Sequence, residues 1–223
     1  MTRIGILLSG RGSNFLAIAD AIDQAGMDSA SMSPLRNAEI SIVVSNRADA
    51  PGIAAAQSRG YATAVIESAG RKRAEHDAEI VSALQQRGVE LVCLAGYMRL
   101  LSPGFVAAFP GRILNIHPSL LPAFPGLDAQ RQALEYGVGV TGCTVHFVDE
   151  KLDHGVIVLQ RAVPVLENDD EAKISARILE QEHLAYPEAL ARVLSGRYRP
   201  VGRRYLSKTS QQDILQETQE CNS

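Results

Sequence analysis

The segment Asn115-Ile116-His117-Pro118-Ser119-Leu120-Leu121-Pro122 sets a carboxamide and an imidazole two residues apart at the end of an apolar run. Residues at i and i+2 on a strand face the same side, so Asn115 and His117 project together. An amide donor beside an imidazole suits a reaction that passes through an oxyanion: both groups can donate to developing negative charge, and one can move a proton. The bland alternative is a structural histidine beside an asparagine that bonds its own turn. A second polar cluster, Asp149-Glu150-Lys151-Leu152-Asp153-His154-Gly155, carries three acids. Any of them could orient the imidazole and relay protons through water, and sequence spacing alone does not choose among them.

A third segment, Ser9-Gly10-Arg11-Gly12-Ser13-Asn14, offers backbone N–H groups, hydroxyls and an amide at the start of a helix. That is an anion site by construction. Without a ligand it reduces to a glycine turn with Ser13 as the helix N-cap. It is no Walker loop, because no Gly-Lys-Ser/Thr follows. Nor is it a full dinucleotide fingerprint: Phe15 replaces the third glycine, and Asn46 rather than an acid ends the second strand. Metal chemistry finds no ligand pattern. His76 and His183 fall on helices without an HExxH partner, His146 in a strand and His154 in a turn. Covalent chemistry fares no better, with no GxSxG elbow and no cysteine beside a histidine.

The elements that must position these residues alternate. Ile4–Leu8 is a continuous apolar strand, followed by a helix on which Phe15, Leu16, Ile18, Ala19 and Ile22 recur at helical spacing. A loop at 28–37 leads to a buried strand at 40–45. A helix opens at Pro51 and stops at Gly60, then come a short strand at 62–66, an amphipathic helix at 73–87 closed by Gly88, and a strand at 91–95. This rhythm predicts an open, mostly parallel, doubly wound Rossmann-like sheet with helices on both faces. The rhythm changes after the strand at 113–116, where two prolines deny the next stretch a regular ladder or helix. A short helix at 129–135 precedes two β-rich runs, 140–148 and 155–165, which read as an antiparallel hairpin. A long helix from about 169 to 194 has Asp170 and Glu171 in its first turn, and Pro187 should kink it. The expected organisation is one domain over 1–206 and a polar, flexible tail over 207–223.

Composition narrows the class. The 223 residues are 46% hydrophobic and 21% charged with a net charge of −3, which suits a globular chain and argues against a bulk nucleic-acid binder. No apolar run reaches membrane-spanning length, and the first residues make a poor signal peptide. Cys93, Cys143 and Cys221 are odd in number and without CxxC spacing, so a reducing cytoplasmic location is expected.

Taken together, the segments resemble the folate-dependent formyltransferase family, and within it the phosphoribosylglycinamide formyltransferases. The pieces are Ser9 to Asn14, Leu94-Ala95-Gly96-Tyr97-Met98-Arg99-Leu100-Leu101-Ser102, Asn115 to Pro122 with Pro125-Gly126, Val145-His146-Phe147-Val148 with Leu152-Asp153-His154-Gly155, and Gln181-Glu182-His183. They keep this order across residues 3–200, and the combination is specific where each piece alone is not. The resemblance implies the formyltransferase fold and transfer of a formyl group from 10-formyltetrahydrofolate, a co-substrate, to the amine of glycinamide ribonucleotide in purine synthesis, with no metal. It implies Asn115, His117 and Asp153 as the catalytic trio, choosing Asp153 among the three acids. By the same resemblance Gly10, Arg11, Gly12, Ser13, Asn14 and Glu182 hold the ribonucleotide. Arg73, Met98, Arg99, Leu100, Leu101 and Val148 serve the folate, Arg73 as partner to a carboxylate. Two features depart from the family: a longer loop at 28–37, and Leu179 where a polar substrate contact is expected. The partners are then these two small molecules, with neither nucleic acid nor membrane, on a monomer or homodimer.

Rival readings make different demands. A formyltetrahydrofolate hydrolase would use the same trio with water, but is expected to carry an extra N-terminal regulatory domain. A formyltransferase acting on initiator tRNA shares Ser-Leu-Leu-Pro yet should bring a basic C-terminal domain. A non-catalytic folate- or nucleotide-binding module would bind without turnover. A nicotinamide oxidoreductase needs the missing third glycine and ribose-binding acid.

Overall fold

The computed structural model describes residues 1–28 and 30–208. Its elements are β1 (Thr2–Leu8), α1 (Ser13–Met27), β2 (Ala38–Ser45), α2 (Pro51–Ser58), β3 (Thr63–Val65), α3 (Arg73–Gln86), β4 (Leu91–Leu94), α4 (Pro103–Ala108), β5 (Ile113–His117), α5 (Ala129–Tyr136), β6 (Val140–Phe147), β7 (Ile157–Pro164), α6 (Glu171–Leu194), β8 (Tyr198–Val201) and β9 (Arg204–Ser207). They form a nine-stranded sheet in the order β3-β2-β1-β4-β5-β6-β7-β9-β8. The five strands from β3 to β5 are parallel, β6 is antiparallel to both β5 and β7, and β9 runs parallel to β7. This is the doubly wound sheet with an antiparallel hairpin that the alternation of sequence patterns implied.

Period-2 patterning sorts β1 between two cores. Ile4, Ile6 and Leu8 face a layer with Phe15 and Ile18 of α1 and Ile174, Ile178 and Tyr186 of α6. Leu7 faces the opposite layer, with Ile80 and Leu84 of α3 and Phe105 of α4. The Tyr186 hydroxyl, fully buried, reaches the carbonyls of Leu94 and Leu114 at 3.1 and 3.0 Å and so ties α6 across β4 and β5.

The chain winds outward from β1 through β2 to β3, then returns to the other side of β1 as β4 and β5. The reversal opens a crevice beyond the carboxyl ends of β1 and β4, where ligands sit in such sheets. Ser9 Oγ closes the floor there. It donates to Asn46 Oδ1 at 2.6 Å and accepts the Met98 N–H at 2.9 Å, joining the ends of β1 and β2 to the segment after β4.

Sequence patterns missed four elements. The loop at 28–37 contains a 3-10 turn at Pro34–Asn37, capped by Ser33 and anchored by buried Leu35. The six residues of α4 are too few to show a helical period. β8 and β9 carry arginines and Pro200, which masks their alternation, and an edge hairpin tolerates both. α6 is continuous through Pro187 to Leu194. Ser207, expected to begin the tail, ends β9, while residues 209–223 lie outside the described residues.

Candidate active site

β5 delivers Asn115 and His117 to the crevice as the i, i+2 rule requires, and both are drawn from solvent. His117 Nε2 donates to the Phe124 carbonyl at 2.8 Å, because a carbonyl can only accept. Its Nδ1 lies 3.4 Å from Asp153 Oδ2. The same carboxylate oxygen accepts the Gly126 N–H at 2.8 Å. Asp153 is thus fixed between the two strands' connections, with a left-handed backbone (φ 46) that aspartate tolerates better than most residues.

A residue given no role in the sequence reading completes the group. Buried His146 on β6 stands opposite Asn115 in the antiparallel register. Its Nδ1 donates to the Phe147 carbonyl at 2.8 Å, which leaves a lone pair on Nε2. Asn115 Nδ2 donates to that lone pair at 3.2 Å, and Asp153 Oδ1 lies 3.8 Å from the same nitrogen. Burial pushes the His146 pKa down, outweighing the pull of Phe147 and Asp153, and so favours the neutral ring. The one available signal was the antiparallel pairing, which a single sequence shows only once the register is known.

The loop between His117 and Gly126 is irregular but anchored. Thr144 Oγ1 donates to the Ser119 carbonyl at 2.7 Å and accepts the Leu121 N–H at 3.0 Å. Gln160 Nε2 reaches both Leu121 O and Thr144 Oγ1 at 2.9 Å. The Ser119 hydroxyl serves the carbonyls of Ala123 and Phe124, and the Leu121–Pro122 peptide is cis.

At the end of β1 the cap of α1 is Gly12, not Ser13, which becomes the first helical residue. Gly12 adopts φ 76, and a Cβ there would come within 2.9 Å of Gly52 Cα, so this turn requires glycine. No side chain caps the helix, so first-turn N–H groups remain for a ligand. Asn14 Nδ2 donates to Glu182 Oε2 at 2.7 Å across to α6, with both residues buried. Burial raises the Glu182 pKa despite that hydrogen bond. Asn14 Oδ1 is buried without a protein partner. Arg11 and Gly10 complete the turn, Arg11 exposed.

The folate-segment candidates divide. Met98 and Leu100 are exposed apolar side chains after β4, Arg99 has a buried Nε with no partner, and Leu101 packs on the core beneath α3 and α4. Arg73 opens α3 and is exposed. Val148 sits apart: its N–H bonds the Ile113 carbonyl at the start of β5, and it lines a groove with Val106 and Tyr205. Leu179 is half-buried on α6, as an apolar residue there should be. The buried thiols of Cys93 and Cys143 are both pushed up to about 12 by desolvation, which makes them inert as nucleophiles. Among the described residues no His/Cys/Asp/Glu group is arranged to hold a metal ion.

Residues 2–190 match the family described as "Formyl transferase". The chain belongs to the formyl transferase family. It is 43% identical over 195 residues to the phosphoribosylglycinamide formyltransferase of Escherichia coli, covering 87% of this chain and 88% of that protein. It is 46% identical over 213 residues to the trifunctional purine biosynthetic protein adenosine-3 of Drosophila pseudoobscura, spanning 95% of this chain but only 15% of that longer protein. Among solved structures, glycinamide ribonucleotide transformylase 1 from Symbiobacterium toebii superposes with a TM-score of 0.86 at 48% identity, covering 93% of this chain and 94% of that one. No described helix is long and apolar enough to cross a membrane.

Proposed function

We propose that this chain transfers a formyl group from 10-formyltetrahydrofolate to the amine of glycinamide ribonucleotide, giving formylglycinamide ribonucleotide and tetrahydrofolate. The observation that carries the reading is the convergence of Asn115, His117, His146 and Asp153 at one end of β5. It lies on the same edge of the sheet as the uncapped turn and Glu182.

The amine attacks the formyl carbon, and the carbonyl pair moves to oxygen. Asn115 keeps one amide N–H for that oxyanion, because the other is spent on His146. His117 has committed Nε2–H to Phe124, so the proton it exchanges is the one on Nδ1, beside Asp153. The Asp153 carboxylate faces that nitrogen and, through water, takes the proton that the attacking nitrogen sheds. The same proton is returned to the folate nitrogen as its bond to carbon breaks and the carbonyl re-forms. The glycine turn would take the ribonucleotide phosphate on its N–H groups, and Asn14 and Glu182 its polar body. Met98, Leu100 and Leu101 would supply the apolar face for the folate ring, with Arg99 and Arg73 for its polar and anionic parts.

The test is spectrophotometric loss of 10-formyltetrahydrofolate with and without glycinamide ribonucleotide. Turnover that needs the ribonucleotide is expected. Turnover without it would make the chain a hydrolase and overturn the reading.

A further inference from the structure

The loop that carries Asp153 borders a groove at its two ends. A groove of about 750 Å³ separates Val148, Asp149 and Gly155 from Val106 of α4 and Tyr205 of β9. Between those ends, and beyond the backbone bonds that close it, the loop carries a chain of polar contacts. His154 Nδ1 donates to Asp149 Oδ2 at 2.8 Å, since a carboxylate can only accept. Arg203 Nη1 lies over that ring, 2.8 Å from Nε2 and 3.3 Å from Nδ1. Arg203 Nη2 donates to the His154 backbone carbonyl at 2.6 Å. One guanidinium fork thus grips the side chain and the backbone of the residue that follows Asp153.

Arg203 belongs to the turn between β8 and β9. That hairpin is anchored by the β7–β9 pairing at Ile157 and Arg204, by the Phe147–Tyr205 ring contact and by the stacked Tyr198–Tyr205 pair. It is firm support for a loop whose key residue sits in a strained left-handed conformation. We propose that Arg203 is a positioning residue for formyl transfer: its fork on His154 holds Asp153 at the distance from His117 that the proton relay needs. The inference rests on the catalytic reading of Asp153. His154 and Asp149 are 43% and 44% exposed, so the contacts add little to global stability. Their effect should be confined to the loop.

The experiment compares the unmodified chain with Arg203→Ala, Arg203→Lys and Asp153→Asn, by amide hydrogen exchange over 148–156, formyl-transfer kinetics and Tm. Arg203→Ala should raise exchange in that segment and lower kcat by roughly five- to ten-fold, the scale of losing a charge-assisted fork. KM for the ribonucleotide and Tm should stay near their starting values. Arg203→Lys, which keeps a donor but no fork, should recover part of both effects. Unchanged exchange in Arg203→Ala overturns the clamp. Raised exchange with unchanged kcat, while Asp153→Asn is inactive, overturns its role in catalysis. Full turnover by Asp153→Asn would instead sink the catalytic reading and with it the relay role, leaving exchange to decide the clamp alone.

Discussion

Asn115 Nδ2 donates to His146 Nε2 at 3.2 Å, and that bond exists only while the His146 ring is neutral. The ring's other proton is fixed on Phe147 O, so protonation would set an N–H against an N–H. Burial lowers the His146 pKa in the folded chain. The unfolded chain then takes up the proton first as pH falls from the ordinary value of about 6.5. Stability from this group is complete above that pH and drains away below it, down through the depressed folded value. Measured from pH 7.5 to 5, the urea midpoint of His146→Gln should lose ground less steeply than that of the unmodified chain, with His183, also lowered by burial, contributing equally to both. Asn115→Ala should lower kcat by about 10²–10³, the cost of losing an oxyanion donor.

Glu182 carries the opposite sign. Burial raises its pKa, so the folded chain prefers the neutral carboxyl, and keeping the carboxylate at neutral pH costs stability. That stability is fully present below the unfolded value of about 4.3 and is lost as pH rises through the folded one. Glu182→Gln retains an oxygen for Asn14 and removes the buried charge. It should raise Tm at pH 7.5, show no gain near pH 4, and raise KM for the ribonucleotide. Equal Tm values at both pH extremes would count against a charge-based penalty.

How much of this was legible beforehand depends on range. Asn115 and His117 are two residues apart on one strand, so local spacing alone put them on the same face. Asp153 lies across a strand and a loop, and composition could not separate it from Asp149 and Glu150; the family resemblance did. Asp149 instead turns toward His154. His146 was invisible because its role depends on the register of β5 against β6, which no local pattern encodes. The Ser13 cap failed for a local reason: Gly12, at φ 76, sits where no other residue fits and takes the cap position itself. The β8–β9 hairpin was hidden by arginines that serve the turn rather than the core.

Gly155 tests whether loop geometry controls the relay. A Cβ at this position would lie 1.8 Å from Phe147 O and 2.7 Å from its carbonyl carbon, both backbone atoms. Gly155→Ala must therefore open the connection between β6 and β7 and carry Asp153 away from His117. A destabilisation of about 1–3 kcal/mol is expected, as for other overpacked sites, together with a loss of kcat exceeding that of Arg203→Ala. Gly139 is the control: a Cβ added there would meet no atom within 4 Å, and its φ lies outside the left-handed region. Gly139→Ala should stay within about 0.5 kcal/mol. Denaturant titration and steady-state kinetics on the two variants decide it.

Thr144 offers a substitution that changes chemistry without changing volume. Its buried hydroxyl gives a proton to Ser119 O and takes one from Leu121 N, while Gln160 approaches the same oxygen. Thr144→Val keeps the shape on β6 but strands the Leu121 N–H in a buried site, which costs about 1–3 kcal/mol. The damage should travel along the loop, because Ser119 also fixes the Ala123 and Phe124 carbonyls, and Phe124 O receives the His117 Nε2 proton. We therefore expect lower kcat with KM for the ribonucleotide preserved, since Gly12, Asn14 and Glu182 lie on other elements. Thr144→Ser, which restores the hydroxyl, should recover most of the turnover. A Thr144→Val enzyme that is destabilised yet fully active would mean that the loop need not be held for His117 to work.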